Sequence, residues 1–527
     1  MANIKKHLDN IKGALYGKDV RGSIHDGIDA INKDVENTTG RQVDLEKTFD
    51  QLVINAGNSN AEIVDARVKS DGTSYSKLGD RLNEVDSQLE QNVTKLNNFI
   101  RVNVRDFGAI GDGLADDTSS IQNAINFIRD NNLSGYGSVY FPSGKYKISS
   151  SIEITNNKLS IIGDGFSSII YAEGTSDNLV SFNIFNLNST GSASFKLQDI
   201  YLFGLNTSAS CAGVYGKSAV DVMINNCWFG NLGSAICGNF ITLNVSNNII
   251  ELCKNVAIRH EDKDFRKVVI SNNNFYANGL NHIYIKGKSA EECNNITITG
   301  NVLDQGMQIN GALLDGGGIE ILNCKYFEVS KNIINGFTSS DIKQTKNGIK
   351  ITNCKKFKID NVVNSFKANG CYIDNSNSFA ISGIYSECGT TGITVVNSND
   401  FEVENVVTKD NIKGMLLSNS NDFNVCCNAN SNNLNGIEIM SCSNGFLNVT
   451  SKNNNISNET LNGGVAISGS ASIPSKFLNI SGVIYNSSQF NIRLFQNTNN
   501  CKVFNILKNE DLNDTFIDVG SNNSIKL

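Results

Sequence analysis

The stretch GIKI at residues 348–351 returns every 22 residues along the chain that follows it. Its copies are GCYI at 370–373, GITV at 392–395, GMLL at 414–417 and GIEI at 436–439. Two other residue types keep the same step, Asn at 353, 375, 397 and 419 and Phe at 357, 379, 401 and 423. A fixed period of this length is typical of a solenoid, in which each repeat buries its apolar face by stacking on its neighbours.

Apolar residues alternate within each repeat, as Ile349 and Ile351 do, and this is the periodicity of a β-strand. A repeat of this length holds two or three short strands and their turns, with no room for a helix of ordinary length. Because every copy runs in the same chain direction, the stacked strands are parallel. The pattern predicts a parallel β-helix, with the Asn column as a ladder at a turn and the Phe column stacked inside.

Composition agrees with this fold and bounds the function. The 527 residues include two prolines and 46 glycines, which suits regular strands joined by tight turns. The net charge of −7 argues against nucleic acid as a partner, since nucleic-acid sites are basic. The thirteen cysteines lack the spacing of a disulfide scaffold or zinc site, so we expect them to be reduced, with Cys371 acting as a small buried hydrophobe.

The first residues contain no continuous apolar segment, so we expect no secretory signal, no membrane insertion, and synthesis in a cytoplasm. Residues 1–100 instead carry helical spacing. Apolar residues fall three or four positions apart at 24, 28, 31 and 35 and again at 78, 82, 85, 89, 93, 96 and 100. This predicts a short coiled coil, or alternatively a helix on a domain surface, with a loop at 55–60. A helical stalk on a solenoid favours a homotrimer.

A different pattern begins at Val104. The run VRDFGAIGDG at 104–113 leads through Asp116 and Asp117 to an amphipathic helix with apolar residues at 121, 124, 125 and 128. The strand SVYF at 138–141 and the sequence IIGDG at 161–165 follow. We expect the helix to cover the open end of the first coil, and Asp112, Asp116 and Asp117 to form turns and helix caps.

These motifs resemble the opening segment of the pectate-lyase-like right-handed β-helix family, which occurs in phage tailspikes, preneck appendages and polysaccharide-degrading enzymes. Residues 1–100 separately resemble the helical attachment region of tail fibre and baseplate proteins from phages of Gram-positive bacteria. The resemblance implies an all-β, right-handed, single-stranded parallel β-helix behind a helical region. The expected parts are an attachment and trimerisation region at 1–100, an opening and capping segment at 101–170, and a glycan-binding or depolymerase β-helix at 171–527.

Strand alternation also predicts an outward-facing row of side chains. With Ile319 and Ile321 inward, Glu320 faces solvent, and the same column continues as Lys350, Tyr372, Thr394, Leu416 and Glu438. Tyr284 and Arg259 take the equivalent place in earlier strands. Aromatic and charged groups spaced along a rigid face suit an extended glycan, although each residue alone is also ordinary surface. The predicted substrate-binding residues are Arg259, Tyr284, Lys350, Tyr372 and Asp341.

The period is interrupted near 287–294, 305–317 and 336–347, where extra residues predict loops that frame a cleft. Asp304, Asp315 and Glu320 lie in or beside these loops, with Asp341 close by. Glycoside hydrolysis needs two carboxyl groups across the scissile bond, so Asp304, Asp315 and Glu320 are the candidates for acid, base or nucleophile. Asp304 and Asp315 can alternatively be simple turn residues.

An eliminating lyase would use a base such as His260 with Arg259, or Tyr284, although His260 can also be an ordinary surface histidine. We expect no metal and no nucleotide or redox cofactor. Together with the resemblance, these residues predict a phage tailspike or tail fibre that binds and hydrolyses a capsule, exopolysaccharide or teichoic acid. The resemblance implies that residues 1–100 attach it to baseplate or tail proteins of the virion. The alternatives are a non-catalytic receptor-binding protein on the same fold and a polysaccharide lyase.

Overall fold

The computed structural model describes residues 6, 10–12, 17–59, 66–97, 101–131, 136–155, 158–188, 194–261, 265–288, 295–304, 317–336, 346–457, 462–485, 487, 490–507 and 516–526. The chain divides into two compact units, Met1–Phe99 and Ile100–Leu527. The predicted assignment of roles to 1–100, 101–170 and 171–527 stays a prediction. No helix in the described part of the chain is both long and apolar enough to cross a membrane.

The first unit contains helices α1 (Gly17–Ser59) and α2 (Leu78–Asn97). Between them Val68 and Ser74 form an antiparallel bridge, and Lys69 pairs with Glu84 of α2. The prediction of a loop at 55–60 is wrong for residues 55–59, because α1 continues to Ser59. Asn, Gly and Ser each cost only about 0.5–1 kcal/mol inside a helix, and no proline interrupts the stretch. Most of the apolar side chains that carry the predicted helical spacing are exposed in α1 and α2, namely those at residues 24, 28, 31, 35, 82, 85 and 89.

The second unit is a parallel β-helix whose strands form three stacks, here called sheets A, B and C, in this order within each coil. The strands of sheet A alone are β5 (Ile152–Ile154), β8 (Phe185–Leu187), β15 (Ile258–Glu261), β18 (Ile283–Lys286), β21 (Ile319–Leu322), β23 (Ile349–Thr352), β25 (Cys371–Asp374), β27 (Thr391–Val396), β29 (Lys413–Ser418), β31 (Ile437–Met440), β33 (Val465–Ser468), β36 (Ile492–Leu494) and β39 (Phe516–Asp518). Two strands run from sheet A into sheet B, β11 (Ala212–Asn225) and β13 (Ser234–Ser246).

Sheets B and C complete each coil. The strands of sheet B alone are β1 (Arg101–Asn103), β3 (Tyr136–Phe141), β6 (Lys158–Gly163), β9 (Ser194–Gln198), β16 (Lys267–Ser271), β19 (Ile296–Thr299), β34 (Ser475–Lys476), β37 (Thr498–Asn499) and β40 (Ser524–Lys526). Those of sheet C alone are β2 (Asp112–Asp116), β4 (Gly144–Ile148), β7 (Ser168–Glu173), β10 (Tyr201–Leu205), β12 (Trp228–Gly230), β14 (Ile249–Glu251), β17 (Asn274–Tyr276) and β20 (Val302–Asp304). Eight strands run from B into C: β22 (Lys325–Asn335), β24 (Lys355–Asn364), β26 (Asn377–Ser386), β28 (Asn399–Lys409), β30 (Asn421–Asn430), β32 (Ser443–Lys452), β35 (Asn479–Tyr485) and β38 (Lys502–Leu507).

Helix α3 (Thr118–Asn131) packs on the first coil with Ile121, Ala124, Ile125 and Ile128 buried, as the sequence predicts. The carboxylate of Asp117 is buried and accepts hydrogen bonds from the backbone N–H groups of residues 110 (2.7 Å) and 111 (3.0 Å). Asp116 accepts from the Thr118 N–H, and Asp112 accepts from those of Leu114 and Ala115. These contacts confirm that the three aspartates form turns and begin the helix.

The 22-residue spacing of glycine has a steric cause. A Cβ atom on Gly370 would lie 2.7 Å from the carbonyl oxygen of Gly392, and one on Gly392 would lie 2.7 Å from that of Gly414. These distances are too short for any real side chain, so the coils can stack at this corner only with glycine.

The two predicted columns are present. Phe327, Phe357, Phe379, Phe401 and Phe423 are buried and stack in parallel, with neighbouring ring centroids 4.6 to 5.4 Å apart. The exposed Asn column sits at a left-handed turn, with φ near 50° from residue 353 to 419. Its amide contacts are uneven, from 2.8 Å between residues 353 and 323 to 3.5 Å between 375 and 353. Cys371 is fully buried, which confirms its predicted role and raises the pKa of its thiol.

A second asparagine ladder, which the 22-residue period does not show, lies inside the bend between sheets B and C. Its members are Asn248, Asn273, Asn301, Asn332 and Asn361, all at most 3% exposed. Each of the first four donates both its backbone N–H and its side-chain N–H to the amide oxygen of the next, over 2.8 to 3.0 Å. This ladder satisfies backbone donors that would otherwise be buried without partners.

Candidate functional site

Five predicted residues form one row on the outward face of sheet A. Strand pairing places Arg259 beside Tyr284, Tyr284 beside Glu320, Glu320 beside Lys350 and Lys350 beside Tyr372. The predicted continuation through Thr394, Leu416 and Glu438 is also in register. Neighbouring side chains are therefore one strand spacing apart, about 4.8 Å. The row presents cation, phenol, carboxylate, cation and phenol in succession.

Glu320 lies at the centre of this row and is the most enclosed of its charged groups. Its Oε1 lies 2.9 Å from Nζ of Lys350, and its Oε2 accepts a hydrogen bond of 2.7 Å from Nδ2 of Asn281. The Glu320 side chain is 14% exposed and that of Lys350 is 40% exposed. Both residues line a cleft of about 160 Å³ together with Asn281, Ile319, Lys346 and Asn347. Glu320 accepts hydrogen bonds here, an arrangement suited to a base or nucleophile.

On one side of Glu320, Tyr284 lies between two acidic groups. Arg259 forms a two-pronged pair with Glu261, with Nε to Oε1 and Nη2 to Oε2 both at 3.0 Å. Burial raises the pKa of Tyr284, and the negative charges of Glu261 and Glu320 raise it further. The phenol of Tyr284 therefore keeps its proton at neutral pH and can donate it.

On the other side, Tyr372 follows Lys350 as the next outward side chain. Burial raises the pKa of Tyr372, and the charge of Asp374 adds to this effect. A partly buried, outward-facing ring beside a lysine offers a surface on which a sugar ring can stack.

The acidic candidates in the insertions are placed less closely. Asp304 is the last residue of β20 in sheet C, paired with Tyr276 and Asn335, so its strand is not a neighbour of the Glu320 strand. Asp315 and Asp341 lie outside the described residues, as do most of the three predicted loops. Their roles stay predictions. No group of three or more His, Cys, Asp or Glu side chains suited to a metal ion is found within the part of the chain that the structure describes.

Residues 101–202 match the model of the family described as rhamnogalacturonase A/epimerase, pectate lyase-like. The same three stacked parallel sheets continue beyond this segment to residue 526. Over this opening segment the second unit resembles the pectate-lyase-like right-handed β-helix family. The resemblance predicted from residues 104–165 is thereby confirmed.

Curated relatives match this chain over short segments. Alginate lyase 7 of Azotobacter vinelandii is 32% identical over 134 residues, which is 23% of this chain and 15% of the relative. Mannuronan C5-epimerase AlgE1 of the same organism is 46% identical over 59 residues, 11% of this chain and 4% of the relative. This chain thus spans a small part of the length of these relatives.

Solved structures are similar to this chain at low sequence identity. The pre-mature bacteriophage phi29 gene product 12 has a TM-score of 0.43 at 14% identity, covering 84% of this chain and 57% of that one. The A-module of mannuronan C-5 epimerase AlgE4 of Azotobacter vinelandii has a TM-score of 0.38 at 16% identity, covering 81% of this chain and 97% of that one.

His260 is not a surface residue of the β-helix, and the prediction that it is one is wrong. Its side chain is fully buried between Phe240 and Phe265, with ring centroids 5.8 and 4.8 Å away. Burial lowers the pKa of His260 to about 4. Because Arg259 faces outward, strand alternation turns His260 inward, and the same rule could have found this from the sequence. His260 therefore cannot serve as a base toward a glycan on sheet A.

The outward face of sheet B carries a groove that the sequence reasoning missed. Two concavities of about 890 and 570 Å³ share Lys267 and together form what is here called the sheet B groove. The larger part is lined by residues from Lys267 to Glu402 and the smaller part by residues from Gly137 to Val269. Outward alternation in the sheet B strands, with Glu328 and Lys358 between buried neighbours, is the signal that could have revealed it.

Proposed function

We propose that this chain binds an extended bacterial surface polysaccharide along the outward face of sheet A and cleaves it by glycoside hydrolysis. The observation that carries the proposal is the row from Arg259 to Tyr372, in which Glu320 lines a cleft between a lysine and an aromatic residue. A rigid row of cations and phenols at one strand spacing suits a linear polymer of sugar rings that carries hydroxyl or acidic groups.

In this proposal Glu320 acts as base or nucleophile. Its two oxygens already accept hydrogen bonds from Lys350 and Asn281, which hold the carboxylate in a fixed orientation. The second carboxyl group donates a proton to the leaving oxygen, and the candidates for it are Asp315 and Asp304. A separation of about 5–5.5 Å from Glu320 would give retention, and one of about 6.5–9.5 Å inversion.

A second candidate function, elimination at a uronate, is favoured by the position of Tyr284 between Arg259 and Glu320. Arg259 or Lys350 would neutralise the uronate carboxylate, Glu320 would take the proton at C5, and the C4–O bond would break. Tyr284, whose pKa burial raises, would protonate the leaving oxygen as the C4–C5 double bond forms. The names of the curated relatives, an alginate lyase and epimerases of mannuronan, support a uronate substrate.

The cellular setting belongs to the same proposal. Residues 1–100 would attach the chain to baseplate or tail proteins of a phage virion and hold three chains together, after synthesis in the host cytoplasm. The exposed apolar positions of α1 and α2 support this role, because such stripes are typical of helices that pack against a partner.

The test is incubation of the full chain with capsule, exopolysaccharide and teichoic acid purified from Gram-positive hosts. Hydrolysis lowers the viscosity and releases oligosaccharides that have gained the mass of water. Elimination releases products that are one water lighter than the hydrolysis products of the same length, and their double bond gives new ultraviolet absorbance. Saturable binding without products after long incubation would replace both reactions with the non-catalytic receptor-binding function.

A further inference from the structure

We propose that the sheet B groove is a second, non-cleaving binding site for a linear anionic polysaccharide. This goes beyond cleavage at Glu320, because the groove lies on a different face of the coils from the row on sheet A. The first support is its length. One outward column of the groove runs in register from Ser160 to Glu402, through residues 196, 223, 244, 269, 297, 328, 358 and 380. Nine strand spacings separate its ends, roughly 43 Å, which suits an extended polymer.

The second support is the chemistry of the lining. Five lysines and four carboxylates line the groove, on a chain whose net charge is −7, so the groove is positive relative to the rest of the protein. The lysines are at 158, 196, 267, 356 and 358, and the carboxylates at 221, 328, 400 and 402. Serine, threonine and asparagine side chains between them can bond sugar hydroxyls, and the lysines can bind acidic substituents.

The third support is Tyr326, an exposed aromatic residue at one wall of the groove. Its φ is 53°, in the left-handed region, and its side chain is 49% exposed. The equivalent turn position also has a positive φ in the other coils, where it is occupied by Asn295, Lys356, Ser378, Asp400, Asp422, Asn444 and Phe477. The turn therefore does not require a tyrosine. Its hydroxyl lies 3.1 Å from Nζ of Lys356, so the ring is held at the groove.

An exposed aromatic ring in a polar groove that carries lysines points to the binding of sugar rings. We assign Tyr326 as an aromatic contact for a sugar ring, with Lys358 and Lys267 as contacts for acidic groups. A second binding face would keep the polymer near the chain after each cleavage on sheet A, because linked sites raise the effective concentration of the polymer.

The test uses the full chain carrying Glu320→Gln, so that the polymer is not consumed, with alginate and polygalacturonate as probes and neutral dextran for comparison. We expect saturable binding of at least one acidic polymer and weaker binding of dextran. Tyr326→Ala and Lys358→Ala should each lower the affinity for the acidic polymer about ten-fold or more. The matched control is Phe477→Ala, because Phe477 is also exposed at a left-handed turn beside a lysine, outside the groove.

Three results would overturn the proposal. The first is that neither acidic polymer binds saturably. The second is that Tyr326→Ala leaves the affinity unchanged. The third is that Phe477→Ala lowers the affinity as much as Tyr326→Ala does. If Lys358→Ala instead changes the molar mass in light scattering while the affinity stays constant, the face contacts another copy of the chain and the proposal also fails. Product release by the wild-type chain is measured separately, so a failure of the groove and a failure of cleavage are distinguishable.

Discussion

Nζ of Lys350 lies 2.9 Å from Oε1 of Glu320 across two adjacent strands of sheet A. Five strands further along the same row, Glu438 repeats the arrangement, with Nζ of Lys413 at 2.7 Å and Nδ2 of Asn435 at 3.1 Å. The two carboxylates share their sheet, their outward direction and their pair of donors. They differ in position, because Glu320 lies among the insertions and Glu438 lies in the regular part of the β-helix.

This pair gives the most direct test of the proposed active site. Glu320→Gln keeps the size of the side chain but removes the group that accepts a proton or attacks the sugar, so we expect turnover to fall on the order of 10²–10⁴-fold. Glu438→Gln removes an equivalent carboxylate and should leave turnover within about two-fold, since most surface substitutions away from a site are nearly neutral. The measurement is the rate of oligosaccharide release at saturating polymer. Equal rates in both variants would exclude Glu320 from the chemistry.

The buried asparagine ladder should contribute more to stability than the exposed one. Asn301→Ala removes the oxygen that accepts from the backbone and side chain of Asn273 and leaves a buried N–H without a partner, at a cost of about 1–3 kcal/mol. Asn353→Gly changes an exposed residue with φ of 53°, which glycine adopts freely, so its effect should stay within about 0.5 kcal/mol. Urea midpoints of the two variants provide the comparison, and a similar shift in both would contradict the assigned role.

Two buried histidines predict a loss of stability in mild acid. Burial lowers the pKa of His260 to about 4 and that of His282 to about 3, whereas an unfolded histidine titrates near 6.5. The unfolded chain then binds more protons as pH falls below 6.5, so stability is complete above that pH and decreases toward pH 4. The urea concentration at the unfolding midpoint should therefore decrease when the pH is lowered from 7.5 to 5.

A variant separates the histidine contribution from that of the many carboxylates. His260→Phe fits a site already lined by Phe240 and Phe265 and cannot take up a proton, so its urea midpoint should vary less with pH than that of the wild type. His25→Gln alters an exposed histidine of α1 and serves as the control. The same pH slope in His260→Phe and wild type would show that the buried imidazole does not titrate on unfolding.

Much of the fold follows from the sequence because the 22-residue period reports stacking directly. Glycine recurs where only hydrogen fits against the next coil, as at Gly370, and phenylalanine recurs where rings stack, as at Phe379. The outward row from Arg259 to Glu438 follows from the same alternation. The ladder from Asn248 to Asn361 was not predicted, because its members are separated by irregular intervals that include the inserted loops.

The candidate site follows from the sequence only in part. Alternation locates Glu320, but a pattern of period two says nothing about which side chains across coils form contacts, so its partner Asn281 was not foreseen. Strand alternation predicts that His260 is buried, but the surface position was predicted from where histidine usually lies in proteins. Alternation shows that Glu328 and Lys358 of the sheet B groove face outward, but it does not show which outward side chains line one concavity across several coils.

The helical unit predicts the oligomeric state. Leu82, Val85 and Leu89 of α2 are exposed, and such a stripe is stable in water when it packs against copies of itself. We expect light scattering to give three times the chain mass of 57.2 kDa. Leu89→Asp places a charge in the stripe and should shift the mass toward a single chain on dilution. Ser87→Asp adds the same charge outside the stripe and should keep the trimer, so dissociation of both variants, or a monomeric wild type, would contradict the proposed stalk.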